Sequence, residues 1–172
     1  MNIYLIGFMG SGKSYWAKKL GKQLNREVFD MDNIIEDLEC TTIDEVFYTK
    51  GETYFRQIEN KVLKDLTKTN RNYIISCGGG TPCFFNNMQL MNQQGKTFYL
   101  KASVPYLLER LESEQNNRPL ITTLNKPELK LFIEKTLAER SFFYNKATSI
   151  IDIENTSLPI FVQTIKQCIN QP

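Results

Sequence analysis

The chain has 172 residues, 41% of them hydrophobic, with 21 Lys and Arg against 19 Asp and Glu. That length suits one α/β domain with its own core, and that much apolar content excludes a disordered chain. A net charge of +2 excludes a general electrostatic pull toward nucleic acid or membrane, so an anionic ligand needs a local cluster of cations.

In chain order, "NIYLIG" (2–7) predicts a short buried strand. After a glycine-rich loop, "SYWAKKLGKQL" places Trp16, Ala17, Leu20 and Leu24 at helical spacing. "EVFDMD" (27–32) reads as a second strand ending in carboxylates. "TTIDEV" offers Thr42 as N-cap and Glu45 three residues on, a capping box opening a helix that stops near Gly51. A further helix follows through "YFRQIENKVLKDL". "NYIISC" (72–77) is a third strand, running into Gly78, Gly79 and Gly80. "FFNNMQLMNQQG" reads as a helix closed by Gly95, and "KTFYLKA" (96–102) as a fourth strand. "SVPYLLERLESE" begins a helix with Ser103 as N-cap and Pro105 in its first turn. The polar, Pro-bounded stretch 115–127 is expected to be a mobile loop. "ELKLFIEKTLAERSFFY" is a long helix, "SIIDIE" (149–154) a fifth strand, and a last helix begins near Leu158.

Alternating strands and helices predict a parallel sheet covered on both faces. No repeat or linker divides the chain, so 1–172 is expected to form one domain. Residues of about 31–60 insert two helices between strands two and three and form a candidate subdomain. No apolar run is long enough to span a bilayer, and no basic segment precedes the first apolar run. The spacing of Cys40, Cys77, Cys83 and Cys168 fits neither a zinc site nor a CxxC pair, so reduced thiols in a cytoplasmic protein are expected. The chain has no histidine, which excludes Ser–His and Cys–His nucleophiles and every His-ligated metal.

Residues 7–14, "GFMGSGKS", match the phosphate-loop pattern G-x-x-x-x-G-K-[ST] between a strand and a helix. Such a loop turns backbone N–H groups inward around phosphate oxygens, and the following helix adds its positive end. Lys13 can reach the β- and γ-phosphates, and the Ser14 hydroxyl can ligate Mg²⁺. ATP and Mg²⁺ are the expected cofactors. Ligands of open α/β sheets sit beyond the C-terminal strand ends, and two other strand ends here carry chemistry. Asp30 and Asp32, if their strand continued, would face opposite ways, one toward a metal and one toward an acceptor. The blander role for Asp32 is to cap a helix. Gly78–Gly80 let a ligand approach the backbone closely, or make a tight turn. Arg56 shares a helix face with Glu59, and Arg140 sits in "AERSFFY". Either arginine could grip a carboxylate or form a surface ion pair. Arg118, in the polar loop, could supply charge to a transferring phosphoryl group.

The combination of "GFMGSGKS", "DMD" (30–32), "GETYFRQIE" (51–59), "GGG" (78–80), "RPL" (118–120) and "ERSFFY" (139–144) resembles the shikimate kinase family over nearly the whole chain. The resemblance implies the nucleoside monophosphate kinase fold, a five-stranded parallel sheet in order 2-3-1-4-5, with a lid at about 112–125. It implies transfer of the γ-phosphoryl of ATP to the 3-hydroxyl of shikimate. Asp32 would bind the acceptor hydroxyls and act as base, with Lys13 and Arg118 completing the catalytic set. Arg56 and Arg140 would hold the acceptor carboxylate over Gly79 and Gly80, and Asp30 would act on Mg²⁺ beside Ser14. The nucleotide would lie on Gly10, Ser11, Gly12, Lys13, Ser14 and Tyr15, with Arg110 against it once one inserted residue before Arg118 is allowed.

The sequence departs from the family pattern twice. Tyr15 stands where a small hydroxyl residue commonly follows the serine, and "DIENTS" lacks the arginine often found near the adenine, leaving that place to Asn155 and backbone groups. A small-molecule substrate, no nucleic acid or membrane partner, and a monomer are expected. The residues alone leave two alternatives open: a phosphate-loop kinase of another polyhydroxy acid such as gluconate, and a nucleotide-binding regulator without catalysis.

Overall fold

A computed structural model describes residues 1–68, 72–114 and 119–170. Its elements are β1 (Asn2–Ile6), α1 (Lys13–Leu24), β2 (Val28–Asp30), α2 (Met31–Glu39), α3 (Ile43–Lys68), β3 (Ile74–Ser76), a 3-10 turn (Thr81–Cys83), α4 (Asn87–Gln94), β4 (Gly95–Lys101), α5 (Val104–Glu114), α6 (Pro119–Thr122), α7 (Lys126–Tyr144), β5 (Ser149–Asp152) and α8 (Leu158–Asn170). The five strands pair in parallel in the order β2-β3-β1-β4-β5. The chain starts at the centre of the sheet, fills one side with β2 and β3, then crosses to β4 and β5. The order therefore reverses at β1, whose C-terminal end is where such sheets open a ligand crevice. Among the described residues, no helix is long and apolar enough to cross a membrane.

Strand alternation builds two cores from one strand. Ile3 and Leu5 of β1 point to a cluster with Ala17 and Leu20 of α1 and Phe161 and Ile165 of α8. Tyr4 and Ile6 point to the opposite cluster, with Met31, Ile35, Phe55, Leu63 and Tyr144. A third cluster joins Phe8 to Leu107 and Leu111 of α5, Ile121 of α6, and Leu129 and Ile133 of α7. It sits beside the glycine loop and ties α5–α7 to that end of the sheet.

The structure corrects several sequence expectations. β2 ends at Asp30, and helix begins at once. Asp30 is the N-cap of α2, its carboxylate accepting from the Asp32 N–H at 3.1 Å, and Asp32 lies in the first turn. The two carboxylates thus owe their placement to a helix cap, not to strand alternation, and Asp32 is not the cap. The expected stop near Gly51 is borne out, since that residue (φ 78°, ψ 169°) is non-helical and separates the two helical halves of α3. At Thr42 only half of a capping box forms, the Glu45 N–H reaching Thr42 Oγ1 at 3.3 Å while its carboxylate takes the Thr41 hydroxyl. The complete box lies at Asn125 and Glu128, opening α7.

The helix expected from Phe84 begins at Asn87, because Phe85 and Asn86 adopt left-handed conformations. Part of the expected loop at 115–127 is helical, as α6 and the start of α7, and residues 115–118 lie outside the described residues. Gly95 closes α4 as expected and is also the first residue of β4; its backbone is extended (φ 178°), so its need for glycine comes from packing rather than from a left-handed cap. A Cβ there would lie 2.2 Å from the Asn2 carbonyl oxygen across the β1–β4 pair. At Gly51, by contrast, an added Cβ would meet nothing within 4 Å. Gly95→Ala should therefore cost about 3 kcal/mol or more by forcing two central strands apart, whereas Gly51→Ala should cost only the backbone strain of about 1–3 kcal/mol. Thermal or urea unfolding of the two variants, ranked against wild type, checks this order.

Candidate active site

The loop between β1 and α1 turns through three glycines at positive φ, Gly7, Gly10 and Gly12. Gly12 caps α1 in a left-handed conformation with no side chain bonded to the helix's first N–H groups. Those donors, and the positive end of the helix, are left for an anion. Lys13 curls back over the loop, its ammonium donating to the carbonyls of Gly7 and Phe8 at 3.0 Å each. The Ser14 hydroxyl donates to Asp30 Oδ2 at 2.5 Å and lies 3.4 Å from the Ser76 hydroxyl. A hydroxyl and a carboxylate oxygen brought together beside a phosphate loop are hard donors suited to Mg²⁺, which takes its remaining ligands from phosphate and water. No group of three or more metal-binding side chains occurs among the described residues, so the protein's share of any metal shell is this small one.

Across the cleft, Gly78, Gly79 and Gly80 form a floor on which charged side chains converge. A Cβ on Gly78 would lie 2.6 Å from Glu59 Oε1 and 3.2 Å from Asp32 Oδ1. On Gly79 it would lie 3.2 Å from Arg140 Nη1 and 3.5 Å from the Gly7 carbonyl, and on Gly80 2.6 Å from Arg56 Nη1. Side chains here would displace the very groups that sequence reasoning placed far apart in the chain. Arg56 is buried on the second half of α3, bonded to Glu59 at 3.0 Å and to Glu52 at 3.1 Å, with its guanidinium 4.4 Å from the centre of the Phe84 ring. Glu59, fully buried, also accepts from the Thr81 hydroxyl at 2.6 Å. Arg140, on α7, is half-buried beside the Phe8 ring.

Asp32 opens to the cleft, but protein atoms around it displace much of its water. That loss of hydration, and then repulsion from Asp30, push its pKa up to about 6, against the pull of Lys13. The cleft holds about 240 Å³ and is lined by Gly12, Lys13, Ser14, Asp32, Gly79 and Arg110, among others. Two larger hollows, one beside α1 and α8 and one between α4 and the end of α7, are bounded mainly by apolar and amide side chains. They lack this convergence of phosphate-binding backbone, carboxylates and arginines.

The structure thus joins Lys13, Ser14, Asp30, Asp32, Arg56, Gly79, Gly80 and Arg140 at one strand-end crevice. Arg110 reaches the loop from α5, bonded to the Tyr106 hydroxyl at 2.9 Å, with Nη1 3.5 Å from where a Gly12 Cβ would stand. Tyr15 lines the mouth of the cleft while remaining 54% exposed, with the Lys19 ammonium 4.5 Å from its ring centre. Ser11 is fully buried in the loop. Asn155 is in the turn after β5, its amide on Asp152 at 2.8 Å, and does not line the cleft. Arg118 lies outside the described residues, as does part of the 112–125 segment. Sequence reasoning missed Glu59 and Tyr144 as parts of the site. The three-residue step from Arg56 to Glu59 and the four-residue step from Arg140 to Tyr144 were the available signals.

A parallel sheet with this strand order, a phosphate loop at its reversal point, and a carboxylate and two arginines converging on the neighbouring glycine turn mark the chain as a phosphate-loop kinase. Comparison with known proteins narrows the class. The family model described as shikimate kinase matches residues 9–170. The chain is 40% identical to the shikimate kinase of Azobacteroides pseudotrichonymphae over 163 residues, 95% of this chain and 96% of that protein. The crystal structure of shikimate kinase from Bacteroides thetaiotaomicron superimposes with a TM-score of 0.91 at 32% identity, covering 99% of both chains. The Acinetobacter baumannii shikimate kinase in complex with shikimate superimposes at 0.85 with 34% identity, over 98% of this chain and 92% of that one. The chain belongs to the shikimate kinase family.

The elevated Asp32 pKa carries a stability consequence in the ligand-free protein. An acid whose folded pKa is raised adds stability that is complete below its unfolded pKa of 3.8 and is lost as pH rises through about 6. Asp32→Asn removes that titration and the repulsion from Asp30. Its melting temperature should match wild type near pH 4 and exceed it near pH 8, the gap opening between those values. Parallel melts across that pH range check the sign.

Proposed function

We infer that this chain transfers the γ-phosphoryl group of ATP to the 3-hydroxyl of shikimate. The observation that carries the reading is the convergence of Asp32, Arg56 and Arg140 on the Gly78–Gly80 floor, which itself touches the phosphate loop at Gly7. Phosphoryl transfer asks little covalent chemistry of a protein and much positioning of charge. The loop N–H groups and the α1 N-terminus hold the nucleotide phosphates, and Lys13 exchanges its carbonyl partners for phosphate oxygens. Ser14 and Asp30 would hold Mg²⁺, which supplies charge neutralisation to the phosphates when bound. Arg110 packs against the loop from the nucleotide side.

Arg56 and Arg140 grip the acceptor's carboxylate, and Gly79 and Gly80 let its ring lie against backbone. Asp32 accepts hydrogen bonds from the acceptor hydroxyls and takes the proton of the attacking one. A carboxylate with a pKa of about 6 is charged at neutral pH yet basic enough for that work. Arginine's planar pair of donors matches a carboxylate, so a carboxylated ring fits this floor better than a neutral polyol. Neither gluconate nor a silent regulator is favoured by any feature of the site. The segment of about 31–60, comprising α2, the whole first half of α3 and the start of the second, serves as the acceptor-binding subdomain. We read the protein as a cytoplasmic monomer, in keeping with four cysteines that form no disulfide.

An ATP-turnover assay with and without shikimate tests the reading: turnover should depend on shikimate, and shikimate-independent or absent turnover would overturn it. Lys13→Ala should abolish most turnover while leaving the melting temperature near wild type. Gly80→Ala places a methyl group in the Arg56 guanidinium, so acceptor KM should rise about tenfold, the worth of one charged hydrogen bond of about 1.5–3 kcal/mol, with ATP KM unchanged. Arg56→Lys and Arg140→Lys should do the same, because lysine keeps the charge but not the planar fork. Steady-state kinetics with each substrate varied in turn check all four.

A further inference from the structure

The two arginines of the acceptor floor are held in opposite ways. Arg56 is clamped by two carboxylates, Glu59 and Glu52, which offset its charge before any ligand arrives. Arg140 forms no ion pair among the described residues. It is the cation whose charge is offset by no ion pair among the described residues, so its direction matters more, and the groups seen beside it are the Phe8 ring, Gly79 and Tyr144.

One turn further along α7, Tyr144 is fully buried, its ring against Tyr99 at 4.9 Å between centres. Its hydroxyl donates to the Gly79 carbonyl at 2.6 Å. Gly79 is also the residue whose absent Cβ would stand 3.2 Å from Arg140 Nη1, so Tyr144 and Arg140 meet the same backbone unit. A phenol has one hydrogen, and here Gly79 takes it. Toward Arg140 the oxygen can only accept. Burial pushes the phenol well above its ordinary range, and the nearby charge of Arg140 acts in the opposite direction. The hydroxyl therefore stays protonated, with its hydrogen on the Gly79 carbonyl and its remaining lone pairs open toward the Arg140 guanidinium one turn back on α7. Packing alone would be served by phenylalanine, since burying a hydroxyl is costly unless it is bonded.

We propose that Tyr144 is the positioning residue that aims Arg140 at the acceptor's carboxylate while pinning Gly79 beneath the acceptor ring. The proposal rests on the shikimate-phosphorylating reading above. Tyr144→Phe removes one oxygen and keeps the ring. With ATP saturating, its acceptor KM should rise roughly two- to tenfold, the worth of one hydrogen bond, with kcat and ATP KM within about twofold of wild type. A general loss of packing would weaken every acceptor alike. Loss of aim should instead shrink the preference for shikimate over its carboxamide, because only the charged carboxylate profits from a directed guanidinium. Tyr144→Phe and Arg140→Lys should combine less than additively on acceptor KM.

A Tyr144→Phe enzyme with wild-type acceptor KM and wild-type discrimination overturns the proposal, as does full additivity with Arg140→Lys. If the variant does not fold, NMR of the wild-type protein decides: a single sharp, slowly exchanging Arg140 Nε–H signal without ligand supports an aimed side chain, and rapid averaging overturns it. Wild-type enzyme inactive on shikimate would refute the functional reading itself, whatever the NMR result.

Discussion

Three absent side chains govern this site. At Gly78, Gly79 and Gly80 the space that Cβ atoms would fill is taken by Glu59 and Asp32, by Arg140, and by Arg56. The backbone of one short turn thereby becomes a surface that a carboxylate-bearing ring can approach, with charged groups around it. The same turn leans on Gly7 of the phosphate loop, so acceptor floor and phosphate cradle are set against each other by backbone contact. Everything else in the molecule can be read as support for that contact. β1 and β3 lie side by side to bring the two loops together, and α3 and α7 supply their arginines from either flank.

That arrangement stores unfavourable electrostatics. Asp30 and Asp32 repel each other across a single cap, and Asp32 has lost hydration as well. Glu59 is buried without a trace of exposure and is tolerated because Arg56 and Thr81 saturate its oxygens. Removing Arg56 would leave a buried charge without its counter-ion. The site is thus a place where the fold gives up stability for chemistry, against the stable background of the two sheet-face cores.

Much of this was legible in the sequence, for identifiable reasons. The phosphate loop is contiguous, and its glycines, lysine and serine carry their geometry with them. Strand order followed from a resemblance spread over the whole chain, and the structure confirms it. Asp30 and Asp32 could be named, but whether strand or helix presented them depended on where the β2 ladder stopped, which no local pattern states. Gly95 was correctly placed at the helix end, but the tight strand pair that actually demands glycine there lay beyond any local pattern. Glu59 and Tyr144 were signalled only by their helical spacing to Arg56 and Arg140, because the partners that fix their roles, Thr81 and Gly79, lie more than twenty and sixty residues away and matter only once the sheet has formed.

The resting posture of Lys13 bears on how tightly such a loop can hold anything. Its ammonium already has two carbonyl acceptors, Gly7 and Phe8. An incoming phosphate does not find a bare cation; it exchanges one set of acceptors for another. Binding strength is then the difference between two bonded states, as it is for any group that leaves water for protein. The loop is its own competitor: it shelters the lysine while empty and reclaims it when the spent nucleotide departs, so that turnover does not require a naked charge at either end of the cycle.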